Sequence, residues 1–325
     1  MKSLNEDIKN NDFKPIYLLY GEEAFLKRQY KEKFKKAISP EKDDMNYAYF
    51  EGKGAQEKEI ISLADTMPFF ADKRLVVVEN SGFFKGKREE LATYMSTIPD
   101  TVCLLFVEQE VDKRGRLYKE VTKVGRTVEM KTQDERTLLL WVASLVKKEG
   151  KHIREGTIRY LIERAGASME ALSQELQKLF SYAVEKEEIT REDIDAIVTV
   201  QISNHIFDMV EAVATKQQKK ALDLYYELLA LKEPPMRTLY MLGRQFRLLY
   251  EVKQLKKRGY DKAQIAKKSG LHPFVAGKYM NQCTRFSTSQ LKGIMEESLN
   301  LEKAVKTGDL KDTISVELFI VKHSI

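Results

Sequence analysis

Gly21, Leu26, Lys27 and Arg28 stand where a phosphate-binding loop would keep its working residues. The stretch YLLYGEEAFLKRQY carries an apolar strand pattern, Ile16–Tyr20, into a glycine and then into a helical pattern. This is the strand–loop–helix order of GxxxxGK[ST], in which backbone N–H groups wrap phosphate, the lysine reaches its outer oxygens and the Ser/Thr hydroxyl binds Mg²⁺. Gly21 and Lys27 fall in register with that motif. The second glycine, however, is Leu26, whose Cβ obstructs close backbone approach, and the Ser/Thr is Arg28, which cannot bind Mg²⁺. Glu22 and Glu23 put carboxylates where phosphate oxygens belong, and Glu79 at the end of a strand pattern is a lone acid where an ATPase often has two. The expectation is a nucleotide fold with its chemistry removed, without a cofactor and without hydrolysis.

No other constellation supplies catalysis. His152, His205, His272 and His323 lack metal-ligand spacing. Ser144 and Lys147, with Lys306-Thr307-Gly308, match two of three motifs of penicillin-recognising enzymes; the Ser-Asp-Asn motif is missing and Ser144 falls mid-helix. Candidate residues for binding are clearer. In ADTMPFFADKRLVVV a helix over 55–66 is stopped by Pro68, which presents Met67, Phe69 and Phe70 at its end. Two rigid rings there either plug a partner's pocket or cap the core beneath a sheet. Phe83 and Phe84, in the Gly-flanked NSGFFKGK, form a second such pair.

Charge points to a different surface. Residues 236–292 hold 13 Lys/Arg against two Asp/Glu, a local +11 in a chain of net +6, so the remainder is −5. Within this stretch Arg244, Arg247, Lys253, Lys256 and Lys257 lie off the apolar stripe of a long helix that opens on Pro234-Pro235. They are either a solvated face, phosphate-neutralising DNA contacts or contacts to neighbouring subunits. QIAKKSGLHPFVAGKYMNQ has the outline of a helix-turn-helix, and Lys278 could face phosphate. Its second helix starts on His272-Pro273-Phe274-Val275-Ala276, too apolar for base edges, so packing against other helices is the favoured reading.

The elements that must position these residues follow from periodicity. Strand patterns at Ile16–Tyr20, 47–50, Arg74–Glu79, 102–107 and 126–130 alternate with helical patterns at 22–38, 55–66, 87–97 and 113–124. Continuous runs such as LVVV and CLLFV suit strands buried on both faces of a parallel sheet, so the N-terminal region reads as a three-layer α/β domain. Helices follow at 135–148, 157–164 and 168–182, with Trp141 in the core, Gly150 as a left-handed cap, and Thr190 and Asp193 opening another helix. Asn204 is expected to cap the next helix, and nearly everything to Ile325 is helical in pattern. At 43% hydrophobic residues and 10% aromatics the chain is ordered and globular rather than disordered. No apolar run approaches a bilayer span and the first residues lack a secretory h-region. With Cys103 inside an apolar strand pattern as a buried free thiol, the expected location is the cytoplasm.

In order and spacing, PIYLLYGEEAFL, MPFFADKRLVVVEN, ELQKLFSYA, NHIFDMVEAV, GRQFRLLYEVKQL, IAKKSGLHPFVAGK and LEKAVKTGDL resemble the delta subunits of bacterial DNA polymerase III, part of the clamp loader. The resemblance runs along essentially the whole chain. It implies an AAA+-like α/β domain with a parallel five-stranded sheet over 1–139, a small helical lid domain over 140–204 and an all-α collar domain over 205–325. It implies no ATP use by this chain, membership of a DNA-directed DNA polymerase holoenzyme, and binding of the ring-shaped beta sliding clamp to favour its opening on primed DNA. Met67, Pro68, Phe69 and Phe70 match the family's clamp contact, with two aromatics and a proline where Leu-Phe is familiar. Further partners implied are tau/gamma-type and delta-prime-type subunits through the collar, and primer-template DNA. The alternatives are an AAA+ ATPase acting at Gly21–Arg28 and a DNA-binding regulator acting through 264–282.

Overall fold

The computed structural model describes residues 1–39, 44–52, 54–199 and 202–324. The chain divides into two compact units, Met1–Thr132 and Gln133–Ile325.

The first unit begins with a helix that periodicity did not announce, α1 (Lys2–Asn10), ended by Asn11 in the left-handed conformation. Asp7 on its inner face accepts from the Tyr17 hydroxyl at 2.9 Å and pairs with Arg126 at 2.8 Å, which fastens α1 to the sheet. The alternation then runs β1 (Ile16–Tyr20), α2 (Ala24–Ile38), β2 (Tyr47–Glu51), α3 (Glu57–Ala64), β3 (Arg74–Glu79), α4 (Glu89–Tyr94), β4 (Val102–Glu108), α5 (Arg116–Val124) and β5 (Arg126–Glu129). All five strands are parallel in the order β2-β3-β4-β1-β5. Strand β1 lies inside the sheet, with Leu18 opposite Phe106 on one side and Thr127 on the other. Every residue of β4 and the LVVV of β3 are buried, as both-face burial in a parallel sheet demands, while the edge strands β2 and β5 are only half-buried.

The expected α/β fold class is the observed one, with each strand within one residue of its expected end. The helices are shorter than their patterns because caps intervene. Glu23, for example, accepts from the Phe25 N–H and starts α2 at Ala24. One expectation is corrected. Phe83 and Phe84 are only 2% and 3% exposed, so they do not form a surface pair. Gly82, at φ 73°, turns them inward on a short 3₁₀ turn, and Phe84 packs edge-on against Phe106 with ring centroids 5.1 Å apart.

The second unit opens with α6 (Glu135–Lys148), β6 (His152–Ile153), α7 (Glu155–Ala165), α8 (Met169–Tyr182), β7 (Glu188–Ile189) and α9 (Arg191–Ile197). The two-residue parallel pairing of β6 with β7 is too short to leave a sequence signal. Gly150 is left-handed, and Thr190 and Asp193 form a reciprocal capping box, both as expected. Trp141 is half-buried rather than a core residue. Helix α6 runs unbroken across 139/140.

Seven helices complete the unit: α10 (Ile202–Ala214), α11 (Gln218–Ala230), α12 (Pro235–Lys257), α13 (Lys262–Ser269), α14 (Pro273–Gln282), α15 (Thr288–Thr307) and α16 (Asp312–His323). Their core is contributed by residues from Ile206 to Ile320, with Leu242, Phe246 and Leu249 of α12 at its centre. Asn204 lies inside α10 rather than at its cap. Its side-chain amide instead donates to the Glu163 and Arg164 carbonyls at the end of α7, at 2.7 and 2.8 Å. Ile325, the last residue of the expected helical region, lies outside the described residues. Among the described residues no helix is long and apolar enough to cross a membrane. Cys103 and Cys283 are free and buried.

Candidate functional site

The β1–α2 loop brings Gly21, Leu26, Lys27 and Arg28 to the carboxyl ends of the strands, the edge where parallel α/β sheets hold phosphates. Several of its backbone donors are already committed. The Gly21 N–H donates to the Glu108 carbonyl at 3.3 Å, the Glu23 N–H to the Met130 carbonyl at 2.9 Å and the Lys27 N–H to the Glu23 carbonyl at 3.3 Å. Gly21 sits at φ 124°, and a Cβ there would stand 2.5 Å from the Met130 carbonyl oxygen. Here the glycine lets the loop pack against the backbone of Met130, just past β5. The Lys27 Nζ, which would reach for phosphate, donates to the Glu108 carbonyl at 3.1 Å. Burial pulls its pKa down, opposed by the charges of Glu79, Glu108 and Glu23. Leu26 is buried, and Arg28 is exposed and lies over the Phe25 ring.

Acids finish the closure. The Glu108 carboxylate is buried and accepts from the Ser81 N–H at 3.0 Å, the Ser81 hydroxyl and the Gly82 N–H at 3.3 Å. Burial raises its pKa, against those hydrogen bonds and the nearby Lys27. Glu79, the lone acid at the end of β3, is bound by Lys31 at 2.6 Å and by the Tyr49 hydroxyl at 3.0 Å. An incoming phosphate would have to displace internal hydrogen bonds and would meet carboxylates.

The α3–β3 loop is the opposite case, at the amino end of β3 and therefore at the other edge of the sheet. Helix α3 ends at Ala64, and Met67, which precedes a proline, is held out of helical conformation. Met67 is 71% exposed, Phe69 52% and Phe70 95%. The two rings meet edge to face with centroids 4.5 Å apart. Pro68 between them and Met67 is half-buried. Phe70 has φ 48°, a left-handed backbone that is costly for an aromatic residue. The backbone is nonetheless tied down. Asn46 exchanges two hydrogen bonds with Phe69, its Nδ2 donating to the Phe69 carbonyl at 2.7 Å and its Oδ1 accepting from the Phe69 N–H at 2.6 Å. The Arg74 Nη2 donates to the Met67 carbonyl at 3.2 Å.

The basic residues of 236–292 are less free than their count suggests, because glutamates from outside the stretch face several of them. Glu233 pairs with Arg237 at 2.8 Å, Glu211 with Arg285 at 2.7 Å and Glu163 with Lys278 at 2.5 Å. Lys278 is thus turned to α7 rather than outward. Lys253 donates to the Cys283 carbonyl at 3.0 Å, Lys256 to the Met280 carbonyl at 3.4 Å and Lys257 to the Thr288 hydroxyl at 2.9 Å, tying α12 to the following helices. Arg244 and Arg247 are exposed beside Tyr240 and Leu299, on a shallow groove between α12 and α15.

Sequence reasoning missed Asn46, Arg74, Ser81 and Glu108. Asn46 acts 23 positions away from Phe69 and leaves no local signal. Arg74 did leave one, since a charge opening a fully apolar strand needs a partner, here the Met67 carbonyl.

Comparison with known proteins agrees along the chain. Residues 17–131 match the family model described as DNA polymerase III, delta subunit, and residues 203–323 match that of the delta subunit's C-terminal domain. The chain is 27% identical to the DNA polymerase III subunit delta of Bacillus subtilis (strain 168), over 98% of this chain and 95% of that one. It is 24% identical to the probable DNA polymerase III subunit delta of Aquifex aeolicus (strain VF5), over 86% and 83%. Among solved structures, the Bacillus subtilis DNA clamp loader delta protein superposes with a TM-score of 0.83 at 25% identity, covering 99% of both chains. With both family models matched in order and full-length similarity in sequence and fold, the chain belongs to the DNA polymerase III delta subunit family.

Proposed function

We propose that this chain works in a clamp loader by binding the ring-shaped beta sliding clamp through Met67, Pro68, Phe69 and Phe70 and favouring the open ring, with no nucleotide of its own. The observation that carries this reading is the exposed aromatic pair, Phe70 being 95% exposed on a loop whose backbone is fixed. Exposed rings cost solubility unless a partner covers them, and large rigid side chains dominate interface energies. Burying one such ring yields about 2 kcal/mol. If the pocket on the clamp is better formed in the sprung ring, that energy biases the ring toward opening, up to the difference in affinity for the two states. The closed β1–α2 loop fits a division of labour in which neighbouring subunits bind ATP. The test is calorimetric titration with the clamp. Phe69→Ala/Phe70→Ala should lose roughly thirtyfold or more in affinity while keeping its melting temperature. Unchanged affinity in the folded variant would sink the assignment of the loop.

Assembly with tau/gamma-type and delta-prime-type subunits is assigned to 205–325, as a collar set apart from a lid over 140–204. The core spanning Ile206 to Ile320 includes no residue of the preceding helices, in keeping with that division. Arg244 and Arg247 beside Tyr240 and Leu299 have the mixed aromatic, apolar and arginine character of a protein interface. Lys253, Lys256 and Lys257 already serve acceptors of this chain, which favours a subunit contact over primer-template DNA. Arg244→Glu/Arg247→Glu should therefore weaken co-elution with the other subunits about tenfold and leave clamp affinity alone. Loss of DNA binding with intact assembly would reverse that assignment.

A further inference from the structure

Asn46 is wholly buried at the end of a 3₁₀ turn just ahead of β2, yet its amide is spent on a loop 23 residues downstream. Its Nδ2 and Oδ1 meet the carbonyl and N–H of one residue, Phe69, at 2.7 and 2.6 Å, as a neighbouring strand's backbone would. Both polar groups of that residue are thereby satisfied from below, and its ring is left to face outward. The Arg74 guanidinium, also buried, fixes the Met67 carbonyl on the other side of Pro68, whose own φ is fixed by its ring. Three constraints thus converge on three consecutive residues. They lead directly into Phe70, which keeps a left-handed backbone at φ 48° without being a glycine, a strain that persists only where the surroundings over-determine the conformation.

A loop of four apolar residues with no such ties would collapse onto the sheet or sample many conformations, and a partner would bear the cost of ordering it. We infer that Asn46, assisted by Arg74, is a positioning residue that holds Phe69 and Phe70 in their clamp-binding geometry before the clamp arrives. The inference rests on the proposed clamp contact but concerns a residue that touches no clamp. Its energetic signature is preorganisation: the gain comes from an ordering cost removed beforehand rather than from a new contact across the interface.

The test uses the full-length chain with Asn46→Ala and with Asn46→Asp, which keeps the size of the side chain and the acceptor for the Phe69 N–H but loses the donor. Amide hydrogen exchange reads the loop itself, and calorimetry with the sliding clamp reads the consequence. In wild type the Phe69 amide should be protected. Asn46→Ala should remove that protection and weaken clamp binding about tenfold, with Asn46→Asp in between. In a Phe70→Ala background the Asn46 effect on affinity should shrink to about twofold or less, because the two residues act through one loop. Should Asn46→Ala not fold, Asn46→Asp with the same cycle decides. Lost protection with unchanged affinity overturns the inference, as does a full and additive loss in the Phe70→Ala background. No clamp binding by wild type overturns the proposed contact instead, and a protected Phe69 amide would distinguish that failure from a loop that Asn46 never ordered.

Discussion

The β1–α2 loop and the α3–β3 loop lie at opposite edges of one parallel sheet and treat their exposed groups in opposite ways. At the first, the polar groups that could receive a ligand are spent inside the chain: Gly21 and Glu23 N–H on carbonyls of β4 and the segment after β5, Lys27 on Glu108, Glu79 on Lys31. At the second, the polar groups are satisfied from below so that apolar groups can be left outside: Asn46 and Arg74 hold the backbone of Phe69 and Met67 while the rings face solvent. The strand–loop–helix frame at the strands' carboxyl ends serves internal packing here. The amino end of β3 carries the proposed contact, which would need only shape and apolar area.

The largest effect is expected at Gly21. Gly21→Ala places a Cβ 2.5 Å from the Met130 carbonyl oxygen on a backbone at φ 124°, so it should cost about 3 kcal/mol in denaturant unfolding. The clamp affinity of the fraction still folded should not change, because the two loops share no residue. A large affinity loss without loss of stability would mean that the first loop takes part in binding after all. A smaller effect is expected from restoring the motif itself. Leu26→Gly/Arg28→Thr rebuilds GxxxxGK[ST] on paper, but the Gly21 and Glu23 N–H groups and the Lys27 Nζ remain committed to Glu108 and Met130. Calorimetry with Mg-ATP should detect no binding, and saturable ATP binding would show that only two side chains, not the loop's internal bonding, closed the site.

Much of this was legible in the residues, for reasons that differ by region. The five strands could be read because LVVV and CLLFV are buried on both faces and tolerate no polar interruption. The departures from the phosphate-loop motif, Leu26 and Arg28, could be read from the residues alone. The loop's internal bonding could not, since Glu108 at the end of β4 and Met130 just after β5 are distant in sequence and act through their carbonyls, which every residue has. The two aromatic pairs show the limit most clearly. MPFF and GFFK are alike in composition, yet Phe83 and Phe84 are turned inward past Gly82, Phe84 onto Phe106, while Phe69 and Phe70 stay exposed on a loop whose backbone Asn46 bonds at Phe69. Burial was decided by a partner elsewhere in the chain in both cases. The basic stretch carries the same lesson in charge, because Glu163, Glu211 and Glu233 lie outside 236–292 in sequence and beside it in space.

Clamp opening by the α3–β3 loop without nucleotide, as proposed, should be visible as release of clamp rings from nicked circular DNA in nucleotide-free buffer. Wild type should release the rings, and folded Phe69→Ala/Phe70→Ala should release them no faster than buffer alone. Release that requires ATP bound by this chain, or that survives in the double variant, would contradict the account.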